Sequence, residues 1–189
     1  FHVAWGVTLQ QLTGRDDVVL GSAVTGRDPS VPGAERMVGL ALNTVAARLS
    51  TRPHQTVRDV VRRAFAQQGA MSAHHRAGLG EIQRAAGHAT LFDTLVVHRN
   101  TAMDREDPNG PFAGAGVLRA QALDATHYAM VLDVDPGDGT PGSGTVTCEH
   151  HPETVSTERA QWALDRTLAA LTDPVSYTHL RAHETKANL

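Results

Sequence analysis

The sequence predicts an α/β fold. Two apolar, β-branched runs of strand length, residues 18–24 and 43–49, are bounded by Gly and Pro. Two longer segments, 56–72 and 156–171, repeat apolar residues at helical spacing. Shorter runs at 91–98, 117–123, 127–135 and 145–151 supply further strands. The 189 residues suffice for one domain or one large subdomain. No internal repeat and no linker interrupts them.

Residues 1–13 read as a helix already under way, with Phe1, Trp5, Leu9 and Leu12 recurring on one face and Gly14 where a C-terminal cap belongs. The runs 18–24 and 43–49 are expected to be buried strands. Turn chemistry lies between them at Gly26-Arg27-Asp28-Pro29 and Pro32-Gly33. A loop that long is either functional or disordered. Met37, Val38, Leu40 and Leu42 suit solvent poorly, so the loop is expected to be ordered and packed. A turn with Pro53 leads to the helix 56–72, where Thr56 and Asp59 form a capping-box-like start. Val57, Val60, Val61, Ala64, Phe65 and Met71 share one of its faces, and Arg58, Arg62 and Arg63 fall largely on the other.

Residues 78–87 make a short second helix. The run 91–98 is apolar at nearly every position, which predicts a central strand covered on both faces. Residues 100–116, rich in Asp, Pro and Gly, read as an exposed loop. The strands 117–123 and 127–135 follow, then a Gly/Pro-rich turn at 136–144, longer than a tight hairpin, then the strand 145–151. Ser156 caps the last helix, with Ala160, Ala163, Leu164, Thr167, Leu168 and Leu171 facing inward. Residues 175–189 offer no apolar face to dock. They resemble a translated sequencing-adapter read-through and are expected to be a non-native or disordered tail.

Bulk properties exclude several classes. Seventeen Lys and Arg against twenty Asp and Glu leave −3, no footprint for nucleic acid or anionic lipid. The single Cys148 rules out an internal disulfide framework and a cysteine metal cluster, and fits a reducing, cytoplasmic setting. No apolar run approaches the roughly 20 residues of a membrane span, and no signal peptide is seen. Phe1 reads as a cut rather than an initiator. With 4% aromatic residues the core must be mostly Val, Leu and Ala.

Other constellations carry little chemistry. His179 and His183, four apart with Glu184 adjacent, could share a helix face as a zinc pair, but a third ligand is missing and the segment is the suspect tail, so no metal is expected. His150 and His151 are adjacent on a strand and point to opposite faces. The Gly-rich stretch 110–116 does not sit in a βαβ unit, which argues against a phosphate site.

Several segments together resemble one family. Ala4-Trp5 with Leu12-Thr13-Gly14-Arg15-Asp16-Asp17-Val18-Val19, Gly21 to Gly26-Arg27, Val38-Gly39-Leu40 to Asn43-Thr44, Glu81-Ile82-Gln83-Arg84, and Leu91-Phe92-Asp93-Thr94-Leu95-Val96-Val97 are similar, in order, to the nonribosomal peptide synthetase condensation domains. The resemblance covers the second half of such a domain. It implies a chloramphenicol-acetyltransferase-like fold, of which residues 1–174 are the C-terminal subdomain, a mixed sheet with flanking helices. It also implies amide formation in a tunnel between two halves. Donor and acceptor peptidyl carrier proteins would present phosphopantetheine thioesters there, and neighbouring synthetase domains would include the N-terminal half and an adenylation domain. No cofactor would be bound directly.

His74-His75-Arg76-Ala77-Gly78-Leu79-Gly80 matches the spacing of the family's catalytic His-His-x-x-x-Asp-Gly, but Leu79 stands where Asp belongs. The flanking Glu81-Ile82-Gln83-Arg84 identifies a later, non-catalytic family segment, so no catalytic residue is expected in this chain. Asn43, opening a buried strand, needs a partner for its amide. It either satisfies the backbone of the loop before it or, as the resemblance implies, faces the tunnel together with Thr44 and Thr25. Arg27 is expected to anchor the loop through a carboxylate. Rival readings are a non-catalytic carrier-docking module, an epimerisation domain, or another acyltransferase of the same fold.

Overall fold

The computed structural model describes residues 1–27, 30–39, 41–52, 55–99, 126–137 and 142–172. Helix α1 (His2–Thr13) leads into strand β1 (Asp17–Thr25) and, beyond a loop holding a single 3-10 turn (Ala34–Arg36), strand β2 (Leu42–Ser50). Helices α2 (Val57–Met71) and α3 (Leu79–Ala86) follow, then strands β3 (Thr94–His98), β4 (Met130–Asp135) and β5 (Thr145–His150), and finally helix α4 (Thr157–Thr172).

The five strands form one mixed sheet in the order β2-β1-β3-β4-β5. β1 runs antiparallel to β2 and parallel to β3; β3 is parallel to β4, and β4 antiparallel to β5. Local chemistry sets the boundaries. Gly14 ends α1 in the left-handed conformation at φ 68°, which glycine adopts without a Cβ clash. Thr56 and Asp59 form the capping box at α2: the Asp59 N–H donates to Thr56 Oγ1 at 3.2 Å, and the Thr56 N–H donates to Asp59 Oδ2 at 3.2 Å. The hydrogen bonds from Thr56 hold the Asp59 carboxyl below its ordinary pKa. Ser156 accepts from the Arg159 N–H at 3.3 Å at the start of α4.

The core lies between α1, α4 and one face of the sheet. Trp5, Leu20, Val96, Leu132, Val134, Val60 and Ala163 are its fully enclosed members. Here α1 departs from expectation. Instead of one buried face, all seven residues 4–10 are buried, because the helix sits between sheet and α4. Thr8 is tolerated in that interior because its hydroxyl lies 2.9 Å from Thr167 Oγ1 and donates to the Ala4 carbonyl at 3.1 Å.

Other expectations need correction. β2 is an edge strand, and only Val45 and Leu49 of it are fully buried. β3 is central, yet Leu95 and Val97 are only half-buried. Of the apolar stripe on α2 only Val60 is enclosed, while Phe65 is 79% exposed. Leu168 and Leu171 of α4 are exposed, because the helix turns only its Ala160, Ala163 and Thr167 side fully into the core. The strand expected at 117–123, the loop 100–116, Pro53 and the tail 175–189 lie outside the described residues.

Gly6 marks the closest approach of α1 to β2: a Cβ there would meet Leu49 Cδ2 at 2.5 Å and Leu49 Cβ at 3.1 Å. Alanine would add about 1 kcal/mol of helix propensity. Overpacking against a buried neighbour typically costs about 1–3 kcal/mol. Gly6→Ala is therefore expected to lower the denaturant midpoint. A raised midpoint would show that Leu49 can move aside.

Candidate functional site

β1 and β2 leave the sheet side by side, with Thr25 opposite Leu42. The Gly26 N–H donates to the Ala41 carbonyl at 2.6 Å and closes the base of the loop 26–41. Arg27 braces the interior of the loop. Its Nη1 donates to the carbonyls of Ala34 at 2.6 Å and Met37 at 2.8 Å, and its Nη2 approaches Gly39 O at 3.5 Å. Among the described residues Arg27 donates to backbone carbonyls, where a carboxylate was expected. A planar guanidinium with five donors suits such a multi-carbonyl brace.

The brace ties residues 34–39 to the end of β1, but the apolar side chains at this end of the sheet are not packed. Met37 is 62% exposed, Val38 is fully exposed and Leu42 is 69% exposed. The expectation that they are packed is overturned: they form an uncovered apolar rim on the β1–β2 end of the sheet. Leu40 lies outside the described residues.

The two-residue period of a strand divides the tunnel candidates. Asn43 pairs with Val24 and shares the helix-covered face with Val45 and Leu49; Thr44, opposite Ala23, falls on the other face, as does Thr25. Asn43 Nδ2 donates to the His75 carbonyl at 2.7 Å and to the Ala77 carbonyl at 2.8 Å. Its amide thus clamps the turn between α2 and α3, a segment more than thirty residues away, and not the preceding loop. Thr25 is exposed and its Oγ1 accepts from the Arg27 N–H at 3.2 Å. Thr44 is half-buried. His74 is exposed and His75 half-buried.

A polar pair without a sequence motif lies under the same end of the sheet. His2 Nε2 is 2.7 Å from Ser22 Oγ, joining the first turn of α1 to β1. Burial, aided by the positive amino terminus and by His98, pushes the His2 pKa down to about 4, so the ring is neutral near pH 7. Ser22 is 3% exposed, which makes the pair a tie between elements and leaves its hydroxyl out of reach of substrate. Two residues twenty apart, with no flanking signature, gave sequence reasoning nothing to seize on. Among the described residues no group of three or more His, Cys, Asp and Glu could hold a metal ion. No described helix is long and apolar enough to cross a membrane.

The condensation-domain family model matches residues 1–185. The chain is 34% identical over 134 residues to vanchrobactin synthetase VabF of Vibrio anguillarum, covering 71% of this chain and 5% of that protein. It is 33% identical over 140 residues to chondramide synthase cmdD of Chondromyces crocatus, covering 72% and 4%. Its fold is similar to a mutant of the starter condensation domain of rhizomide synthetase RzmA, solved in complex with C8-CoA and Leu-SNAC. That match has a TM-score of 0.76 at 19% identity, covering 98% of this chain and 41% of that one. The first condensation domain of the CDA synthetase gives a TM-score of 0.68, also at 19% identity, over 96% and 40%. The chain belongs to the condensation-domain family and has its chloramphenicol-acetyltransferase-like fold. It spans about two fifths of the length of these solved domains, and a few per cent of the synthetases.

Proposed function

We propose that residues 1–174 are the C-terminal subdomain of a nonribosomal peptide synthetase condensation domain and that residues 175–189 are foreign to it. The complete domain joins an acceptor amine to a donor thioester carbonyl, both delivered on phosphopantetheine arms by peptidyl carrier proteins. The amide C–N bond forms, the C–S bond breaks, and the donor arm leaves as a thiol. Holding two tethered substrates in attack geometry supplies much of the rate. This subdomain provides one wall of the tunnel through Thr44 and Thr25, with the loop 26–41 beneath them. It contributes no acid or base of its own. The synthetase works in the cytoplasm beside its adenylation domain.

The observation that carries this reading is the Arg27-braced loop that presents Met37, Val38 and Leu42 outward. An apolar rim left uncovered by the described residues is what a surface facing a second half-domain requires. The test is reconstitution with loaded donor and acceptor carriers. This chain alone is expected to give no dipeptide above background, and addition of the N-terminal half is expected to restore it. Turnover by the chain alone, abolished by His75→Ala, would overturn the reading.

Asn43→Ala separates support from chemistry in the reconstituted domain. Loss of the clamp on His75 and Ala77 is expected to cost about 1–3 kcal/mol of stability. If Asn43 also orients the reacting groups, turnover per folded molecule falls tenfold or more, roughly 1.4 kcal/mol. Normal turnover per folded molecule in a destabilised variant would remove Asn43 from the tunnel. Midpoint and turnover are to be measured on one preparation.

A further inference from the structure

Strand β2 is an edge of the sheet, and its pairing with β1 determines which of its backbone groups face outward. The Gly26 N–H donates to the Ala41 carbonyl, and the Thr51 N–H donates to the Asp16 carbonyl at 2.8 Å. Both pairs continue the register of the strands, in which Val24 lies opposite Asn43 and Val18 opposite Leu49. Hydrogen-bonded pairs alternate with non-bonded pairs in an antiparallel ladder. Asn43, Val45, Ala47 and Leu49 therefore direct their backbone groups to β1, and Thr44, Ala46, Arg48 and Ser50 turn theirs outward. Arg63 fits this parity by donating to the outward Ser50 carbonyl. The backbone N–H and C=O groups of Thr44, Ala46 and Arg48 have no hydrogen-bond partner among the described residues.

β2 lacks the usual protections of an open edge. Natural sheets blunt such edges with proline, a bulge or an outward lysine. β2 contains no proline, and its register with β1 runs unbroken over nine residues. Its one charged side chain, Arg48, turns back onto β1, where Nε donates to Asp17 Oδ1 at 2.9 Å. The open length is also limited. Arg63 occupies the Ser50 end, and the turn held by Asn43 flanks the other. Thr44 to Arg48 spans about 14 Å at strand rise, which admits a single extended chain of about four or five residues. Two folded copies of this protein would bring their own Arg63 side chains and α2–α3 turns into the same space.

We propose, on the reading of this chain as one wall of a condensation tunnel, that the free edge of β2 binds the extended amide backbone of the peptidyl donor. The side chains of Thr44 and Ala46 lie on the same face of the sheet as Thr25, so the edge runs along the wall assigned to substrate. Outward N–H and C=O groups that recur about every 6.8 Å fit one class of ligand, a chain of amides. Pairing through the backbone holds such a chain whatever side chains it carries. It also fixes the direction from which the thioester carbonyl is presented to the amine.

The test follows hydrogen exchange at the amides of Thr44, Ala46 and Arg48 in this 189-residue chain. The probe is acetyl-tetraalanine joined to pantetheine through an amide in place of the thioester. A second probe carries a methyl group on every peptide nitrogen, and a third is pantetheine alone. The first probe is expected to slow the three amides by about tenfold or more. The methylated probe is expected to bind about tenfold more weakly or worse, and pantetheine to leave the amides unchanged. Ala46→Pro removes one outward N–H at a position where an edge strand accepts proline. It is expected to weaken the first probe by about tenfold, with little change in melting temperature. Should Ala46→Pro fail to fold, the methylated probe decides alone. Equal affinity of the two peptide probes, or amides that stay fast at saturation, would overturn the proposal. Amides already slow without probe, and faster on dilution, would place a second copy on the edge and overturn it too. Dipeptide synthesis by the reconstituted domain from single aminoacyl donors is scored separately. Product there with failed probes counts against the edge alone, and bound probe without product counts against the functional reading alone.

Discussion

Trp5→Ala is expected to cost about 3–5 kcal/mol and to leave the chain at the edge of folding. Trp5 is fully buried among Leu20, Val96 and Leu132, between α1 and the centre of the sheet. Its Nε1–H donates to Thr94 Oγ1 at 3.3 Å, so the substitution removes a large apolar volume and also strips a buried hydroxyl of its donor. Trp5→Phe keeps most of the volume and loses the hydrogen bond, and should cost roughly 1–2 kcal/mol. Urea midpoints of the two variants, read by circular dichroism, check this order. Equal midpoints would mean that the indole is replaceable and that the core closes without it.

The second large effect is a loss of stability in mild acid that depends on one histidine. His2 has a pKa of about 4 in the folded chain, against an ordinary value of 6.5. The unfolded chain therefore binds this proton more readily than the folded one. The stability that His2 supports is complete above about pH 6.5 and is lost as the pH falls toward 4. It amounts to about 3 kcal/mol by linkage. His2→Asn keeps a hydrogen-bonding group near Ser22 and removes the titration, so its stability should stay nearly level across that window. Midpoints at pH 7, 5.5 and 4 give the comparison. A parent chain whose midpoint is level from pH 7 to 4 would sink the assignment. The carboxylates held low, Asp17 by its hydrogen bond from Arg48 and Asp59 by those from Thr56, lose their contributions only at lower pH.

Much of the fold was legible where local chemistry decides. The β-branched run 18–24 became β1 with one further residue at each end. The Thr56–Asp59 box started α2 where expected, and Gly14 ended α1 in the left-handed region. What failed depended on neighbours. Periodicity gave Val61 and Phe65 to the buried face of α2, because a stripe marks a face that wants a partner, not one that has found it. Met37, Val38 and Leu42 read as packed because apolar side chains suit solvent poorly, which likewise says only that they want a partner. Asn43 was singled out correctly as an amide in need of acceptors. Its acceptors, His75 and Ala77, lie beyond a helix, and a distance of that kind is set by tertiary packing alone. The pairing of Asn43 with Thr44 ignored the alternation of a strand, which sends the two side chains to opposite faces.

The contact between Thr8 and Thr167 joins residues 159 apart in the chain. On a ribosome adding about 5–20 residues each second, roughly seven to thirty seconds separate the emergence of α1 from that of α4. For that interval α1, with buried residues along its middle, leans on β1, β2, α2 and, through the Trp5–Thr94 hydrogen bond, β3, but lacks α4. The hairpin of β1 and β2 can form early, since its loop is local and closes at little entropic cost. The core of the fold cannot, because half of its lid has yet to be made. Any arrest or cleavage before residue 157 would leave the α4-facing side of α1, Thr8 included, without its cover. Within this stretch α1 is therefore made well before the helix that covers it.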